Sequence, residues 1–164
     1  MATVEPVADE TEQFARPRTA SGALYFDGAD RVMLVKPTYK PLWDIPGGYV
    51  QPGESPGAAL RREVTEELGT RLPVGALLAV DWAPHPAEGD KLLFVFDGGQ
   101  LSLQQVAAIR VDGDEISEFA FRERGELDGL LIARLSRRVH AALDARAAGR
   151  AMYLEHGAVV PRGG

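Results

Sequence analysis

Three glutamates, Glu63, Glu66 and Glu67, stand at i, i+3 and i+4. At 3.6 residues per turn a helix gathers them within an arc of about 100°. Like charges at this spacing destabilise a helix in water by a few tenths of a kcal/mol per pair, so the charge needs a use. A hard divalent cation supplies one, because Mg²⁺ takes carboxylate oxygens and keeps several waters. Arg62 sits inside the cluster, and Gly47, Gly48 and Gly53 precede it. Glycines let a backbone carbonyl or amide approach a ligand closely. The chain has no cysteine and no evident Ser–His constellation. An acidic, cation-loaded site then points to water as the nucleophile, activated beside a phosphate.

The elements that must hold these groups are legible around them. Ser55 is a favoured N-cap, Pro56 suits the first helical position, and Gly69 suits a left-handed C-terminal cap. Leu60, Val64 and Leu68 form an apolar stripe beside the acids. Residues 21–26 and 31–36 read as strands about the turn Asp27-Gly28-Ala29-Asp30, and 43–46 as a short strand leading into a glycine-rich loop over 47–54. Further strands are expected at 77–82 and 91–96, separated by a loop over 83–90, with Gly98 and Gly99 ending the second. Residues 104–111 fit either period. An edge strand is expected at 116–121 and a long helix over 126–148, with Leu131, Leu135, Val139 and Leu143 as its packing face. The segment 150–164 carries no motif.

The run Gly48, Glu54, Arg62, Glu63, Val64, Glu66, Glu67, Gly69 resembles the box of the Nudix hydrolase superfamily in eight of nine positions over 23 residues. Thr70 stands where an aliphatic residue is usual, a change at the helix exit rather than among the acids. The resemblance implies an α/β fold, a Nudix-type α/β/α sandwich with a mixed sheet. It implies a Mg²⁺- or Mn²⁺-dependent pyrophosphohydrolase cleaving a diphosphate linkage, X–P–O–P–Y, in a nucleotide derivative. Carried over, Glu66 and Glu67 are metal ligands, Glu63 a ligand or the base, and the Gly48 carbonyl a further ligand. Arg62 orients the glutamates, and Glu54 supports metal or loop geometry. Such enzymes often recruit one more carboxylate; Glu115 is the candidate, with Glu118 next. The rival reading is a Nudix-fold nucleotide sensor without turnover, which has no need of all three acids. An isomerase of prenyl diphosphates is disfavoured, since related enzymes use a catalytic cysteine. Tyr39, Trp43 and Trp82 are candidates to stack a base, Trp43 equally a core residue. The family frequently forms homodimers, which leaves that assembly open.

A length of 164 residues fits one domain, here 19–164, after a flexible acidic tail over 1–18. The net charge of −6 argues against a nucleic-acid-binding surface. Absent cysteine excludes disulfides and zinc–thiolate sites. No apolar run suits a membrane span, and the N-terminus lacks a signal-peptide pattern, so the expected location is cytoplasmic. Asp112, Asp114 and Glu123 match three calcium-loop positions, but Ile116 and Ser117 occupy the fifth ligand and the required glycine, which excludes that loop. His85, His140 and His156 are scattered and read as surface or capping residues.

Overall fold

Strand β1 (Arg18–Phe26) is the axis of the molecule, because both of its faces are covered from Ser21 onward. The computed structural model describes residues 14–161. The expected tail therefore lies largely outside the described residues, and β1 already begins at Arg18. Alternation along β1 sends Leu24 and Phe26 to one core and Ala23 and Tyr25 to the other.

The remaining elements follow in chain order. They are β2 (Val32–Pro37), β3 (Gly47–Tyr49), α1 (Pro56–Leu68), β4 (Leu77–Trp82), β5 (Lys91–Gln100), α2 (Leu103–Ala108) and β6 (Ile116–Arg122). A 3₁₀ turn (Arg124–Glu126), α3 (Leu127–Leu130), α4 (Ala133–Ala148), β7 (Met152–Glu155) and β8 (Ala158–Val159) complete the described chain. The strands order as β6-β2-β1-β5-β4-β7-β8, with β3 paired to the first half of β1. The sheet is mixed: β1 runs parallel to β5 and β4 parallel to β7, while the other pairs are antiparallel. One core packs α1 and α2 against the sheet through Leu60, Val64, Leu68 and Ile109. The other packs α3 and α4 through Leu127, Leu135, Val139 and Ala142. The result is the expected α/β/α sandwich.

Three local expectations are corrected, and a segment that carried no reading gains an element. Residues 43–46 are no strand; only Asp44 bridges, exchanging backbone bonds of 2.9 Å with Val35. Pro46 has no N–H to extend a ladder. Instead its carbonyl accepts from Ala23, and pairing begins at Gly47, inside the expected loop. Strand β5 runs through Gly98 and Gly99, shifting register opposite Leu24 and Tyr25. Gly98 is needed there, since a Cβ would lie 2.2 Å from Cδ1 of Tyr25. The long helix is broken at Leu131 and Ile132, which are extended. The Leu130 carbonyl accepts from the Trp43 N–H at 3.0 Å, so it is withdrawn from a continuing helix. Finally, the segment after 150 forms the hairpin β7–β8, turning through His156 and Gly157 with positive φ. The ambiguous run 104–111 resolves as helix α2, started by the Ser102–Gln105 capping box.

Candidate active site

Helix α1 forms where its punctuation predicts. The Ser55 side chain accepts from the Ala58 N–H, and Gly69 closes the helix at φ 65°. Leu60, Val64 and Leu68 are buried beneath it, each worth about 1.5–3 kcal/mol of burial. A hydrogen bond of 2.8 Å from the Ser21 hydroxyl to the Pro56 carbonyl ties the helix start to β1. The acidic face is thus fixed against β3.

Arg62 organises that face. Its Nε and Nη2 donate to the two oxygens of Glu54 at 2.8 and 3.0 Å, a bidentate pair. Its Nη2 also donates to the Tyr49 carbonyl at 3.0 Å, and its Nη1 to Glu63 at 2.6 Å. Glu66 lies 3.5 Å from Nη1 and is more than half exposed. The Arg62 bond, followed by a backbone bond in the Gln51 turn, draws the Glu54 carboxyl down to about 2. The same pairs raise the Arg62 guanidinium above its usual range. The Glu63 carboxylate lies directly over Gly48; a Cβ there would sit 2.5 Å from its Cδ.

Glu67 is held differently. It turns to β3 and accepts from the Gly47 N–H at 3.0 Å. Burial pushes its carboxyl up to about 8, against that bond, and the charges of Glu63, Asp44 and Glu115 add to the rise. A carboxylate crowded in this way lacks a counter-charge. The tip of the 112–115 turn is brought to this place by Thr38, whose N–H donates to the Glu115 carbonyl at 2.9 Å. Glu118 sits further along β6, opposite Lys36.

A cleft of about 450 Å³ opens beside these groups. Gly47, Gly48, Asp44 and Glu67 line one end, and Ala83, Leu93, Val95, Leu135, Arg134 and Arg138 line the other. Tyr39 borders the cleft and is largely exposed, whereas Trp43 packs on the core between Lys36 and Arg122. The donor set of carboxylates around a Cβ-free glycine fits a hard cation. Among the described residues, however, no three acidic or histidine side chains already converge as a metal cage. Arg62 holds Glu63 and approaches Glu66, while Glu67 faces the strand.

Sequence reasoning missed Asp44, Lys91 and Arg138. Asp44 falls in the same Trp43-Asp44-Ile45-Pro46 run as the glycines, and its acidity beside them was the available signal. Lys91 and Arg138 reach the cleft only through tertiary packing.

The family model described as NUDIX domain matches residues 16–142. The chain belongs to the Nudix hydrolase family. A Bacillus subtilis (strain 168) protein provisionally named an 8-oxo-dGTP diphosphatase is 31% identical over 112 residues, 68% of this chain and 70% of that protein. Rattus norvegicus diphosphoinositol polyphosphate phosphohydrolase 2 is 46% identical over 52 residues, 31% of this chain and 29% of that protein. The chain thus matches under a third of that longer relative. The structure of a UDP-X diphosphatase superposes with a TM-score of 0.70 at 21% identity, over 89% of this chain and 70% of that one. This last likeness concerns the fold. The Nudix relatives' names share a diphosphate linkage and differ in what is attached to it.

Proposed function

We propose that this Nudix domain is a Mg²⁺- or Mn²⁺-dependent pyrophosphohydrolase of a nucleotide derivative X–P–O–P–Y. The observation that carries this reading is the under-compensated acidic face, Glu67 above all, at the end of a cleft large enough for a nucleotide. Glu66, Glu67, the Gly48 carbonyl, Glu63 and Glu115 would hold the metal. A bound divalent ion supplies neutralisation of phosphate oxygens and a lowered pKa for bound water. Glu63 takes the proton of the attacking water on a carboxylate oxygen. The water oxygen adds to one phosphorus, the bridging P–O bond breaks, and X–P and P–Y leave. Arg62 holds Glu63 in register, and Glu54 fixes Arg62. The relatives' names make 8-oxo-dGTP, a UDP derivative and a diphosphoinositol the substrates to try first.

The test is a panel of those compounds with ADP-ribose and a dinucleoside polyphosphate, each with Mg²⁺, Mn²⁺ or chelator, in ¹⁸O-water. Metal-dependent release of two phosphate products, one labelled, supports the reading. Tight nucleotide binding with no turnover on any compound overturns it in favour of a sensor. Glu115→Gln is expected to raise the metal concentration needed for half-maximal turnover more than Glu118→Gln does, because only Glu115 belongs to the group of charges around Glu67 and Tyr39. No described helix is long and apolar enough to cross a membrane. A cytoplasmic location and a homodimer belong to the proposal, to be checked by fractionation and sedimentation.

A further inference from the structure

Arg138, a lining residue of the cleft, belongs to a charge pair that the proposed hydrolysis does not use. Asp81 on β4 is fully buried and Arg138 on α4 is 6% exposed. Arg138 Nε donates to Asp81 Oδ2 at 2.6 Å, and the Gly157 N–H donates to Asp81 Oδ1 at 3.0 Å. Both Asp81 oxygens are therefore engaged, while Arg138 Nη2 is buried without a partner among the described residues. Burial lowers the guanidinium pKa, the neighbouring Arg134 lowers it further, and Asp81 and Asp44 oppose the drop. A buried donor left unpaired loses its hydration without recompense. Such a cost needs an explanation, and one on a residue that lines a cleft suggests a ligand.

We infer that Arg138 is a specificity residue that donates a hydrogen bond to the keto oxygen at C6 of a purine base, or at C4 of a pyrimidine base, of the bound nucleotide. The claim names the substrate class of the proposed hydrolase and rests on that reading for the position of the diphosphate. Asp44 is the link: its charge acts on both Glu67 and Arg138, so the acidic and guanidinium ends lie within electrostatic range of one cleft. Leu93, Val95, Ala83 and Leu135 give the same cleft an apolar part of its lining, which suits a planar ring. Asp81 and Arg138 neutralise one another, so the pair offers an N–H without net charge. That favours a neutral carbonyl over a phosphate, which would prefer an uncompensated cation. Guanine and uracil carry a keto oxygen where adenine and cytosine carry an amino donor, and the donor would meet Arg138 head-on. Nη2 is buried, so binding requires a rotamer change along this wall, of the kind that commonly accompanies association.

The experiment uses the four unphosphorylated nucleosides and the full chain in chelator, so neither metal nor hydrolysis enters the readout. Titrations followed by ligand NMR are expected to rank guanosine and uridine about tenfold tighter than adenosine and cytidine. Arg138→Lys keeps a cation for Asp81 but removes the fork, and is expected to level the four. If that variant unfolds, Asp81→Asn with Arg138→Met removes both charges while the new amide oxygen can still accept from the Gly157 N–H, and is likewise expected to level them. On the parent itself, guanosine should shift the arginine side-chain ¹⁵N resonance of Arg138 and adenosine should not. Equal binding of all four by the parent, an unchanged ranking in the variants, or an unmoved Arg138 resonance each overturns the inference. A keto preference in a protein that hydrolyses nothing would sink the proposed reaction and leave this site standing.

Discussion

Replacing Glu67 by glutamine separates charge from shape at the most crowded acid. Glutamine keeps the volume, the helix propensity and an oxygen to accept from the Gly47 N–H. It removes a carboxyl raised from 4.5 to about 8 by burial and then by Glu63, Asp44 and Glu115. A folded-state pKa above the unfolded value means that the protonated form is favoured by folding. That contribution is complete below about pH 4.5 and is lost as pH rises through about 8. One pKa unit is worth about 1.36 kcal/mol, which sets a ceiling of about 5 kcal/mol. Glu67 keeps partial contact with solvent, and screening there reduces the expected difference to about 2 kcal/mol. The assay is urea unfolding in chelator at pH 5, 7 and 9, for parent and variant. The parent is expected to lose stability relative to Glu67→Gln as pH rises, with the variant the more stable of the two at pH 9. In Mg²⁺ the order reverses, because the parent gains about 2.7 kcal/mol at a hundredfold excess over its Kd and the variant gains little. Turnover is expected to fall in the variant throughout. A pH-independent difference in chelator would refute the desolvated-carboxylate argument. Collapse of the variant in chelator would make Glu67 a structural residue.

Three further outcomes follow from the same geometry. Gly48→Ala places a methyl 2.5 Å from the Glu63 carboxyl carbon; it should displace that side chain and weaken metal-dependent turnover about 10-fold or more while far-UV circular dichroism keeps its helix content. Glu54→Gln breaks the bidentate pair with Arg62 and should cost about 10–100-fold in metal affinity or rate, as losing the support of a ligand typically does, read by metal titration of turnover. Asp81→Ala strands Arg138 in the interior and should destabilise by about 3–5 kcal/mol in urea unfolding, whatever metal is present.

What was legible in the sequence was local. Helix α1 carries its own cap, its first-turn proline, its left-handed stop and a four-residue apolar period, so its limits are written within fifteen consecutive positions, Ser55 to Gly69. Strand β4 is bounded as cleanly, at Leu77–Trp82. The break before α4 was not legible, because the apolar period continues through Leu131. The interruption comes from a distant donor, the Trp43 N–H, claiming the Leu130 carbonyl. Nor was β7, whose four residues include only one buried side chain, Leu154; its strand identity is lent by parallel pairing with β4.

The same division runs through the site. The acids and Arg62 come from one helix and the segment before it, and spacing alone brought them together. The cleft does not, since it needs β3, β5, α4 and the run before Gly47 at once. Asp44 shows why that run resists a strand pattern. Its backbone bridges Val35 in both directions, its side chain accepts from the Ile45 N–H at 2.9 Å, and it pairs with Lys40. Those bonds hold its carboxylate at the cleft, where it loads Glu67 with further negative charge and supports the Arg138 cation. A residue that sequence reasoning assigned to a short strand is thereby the electrostatic hinge between the two ends of the cleft. On the proposed reading, one bound metal–nucleotide complex would relieve both the like-charge crowding around Glu67 and the unpaired donor of Arg138.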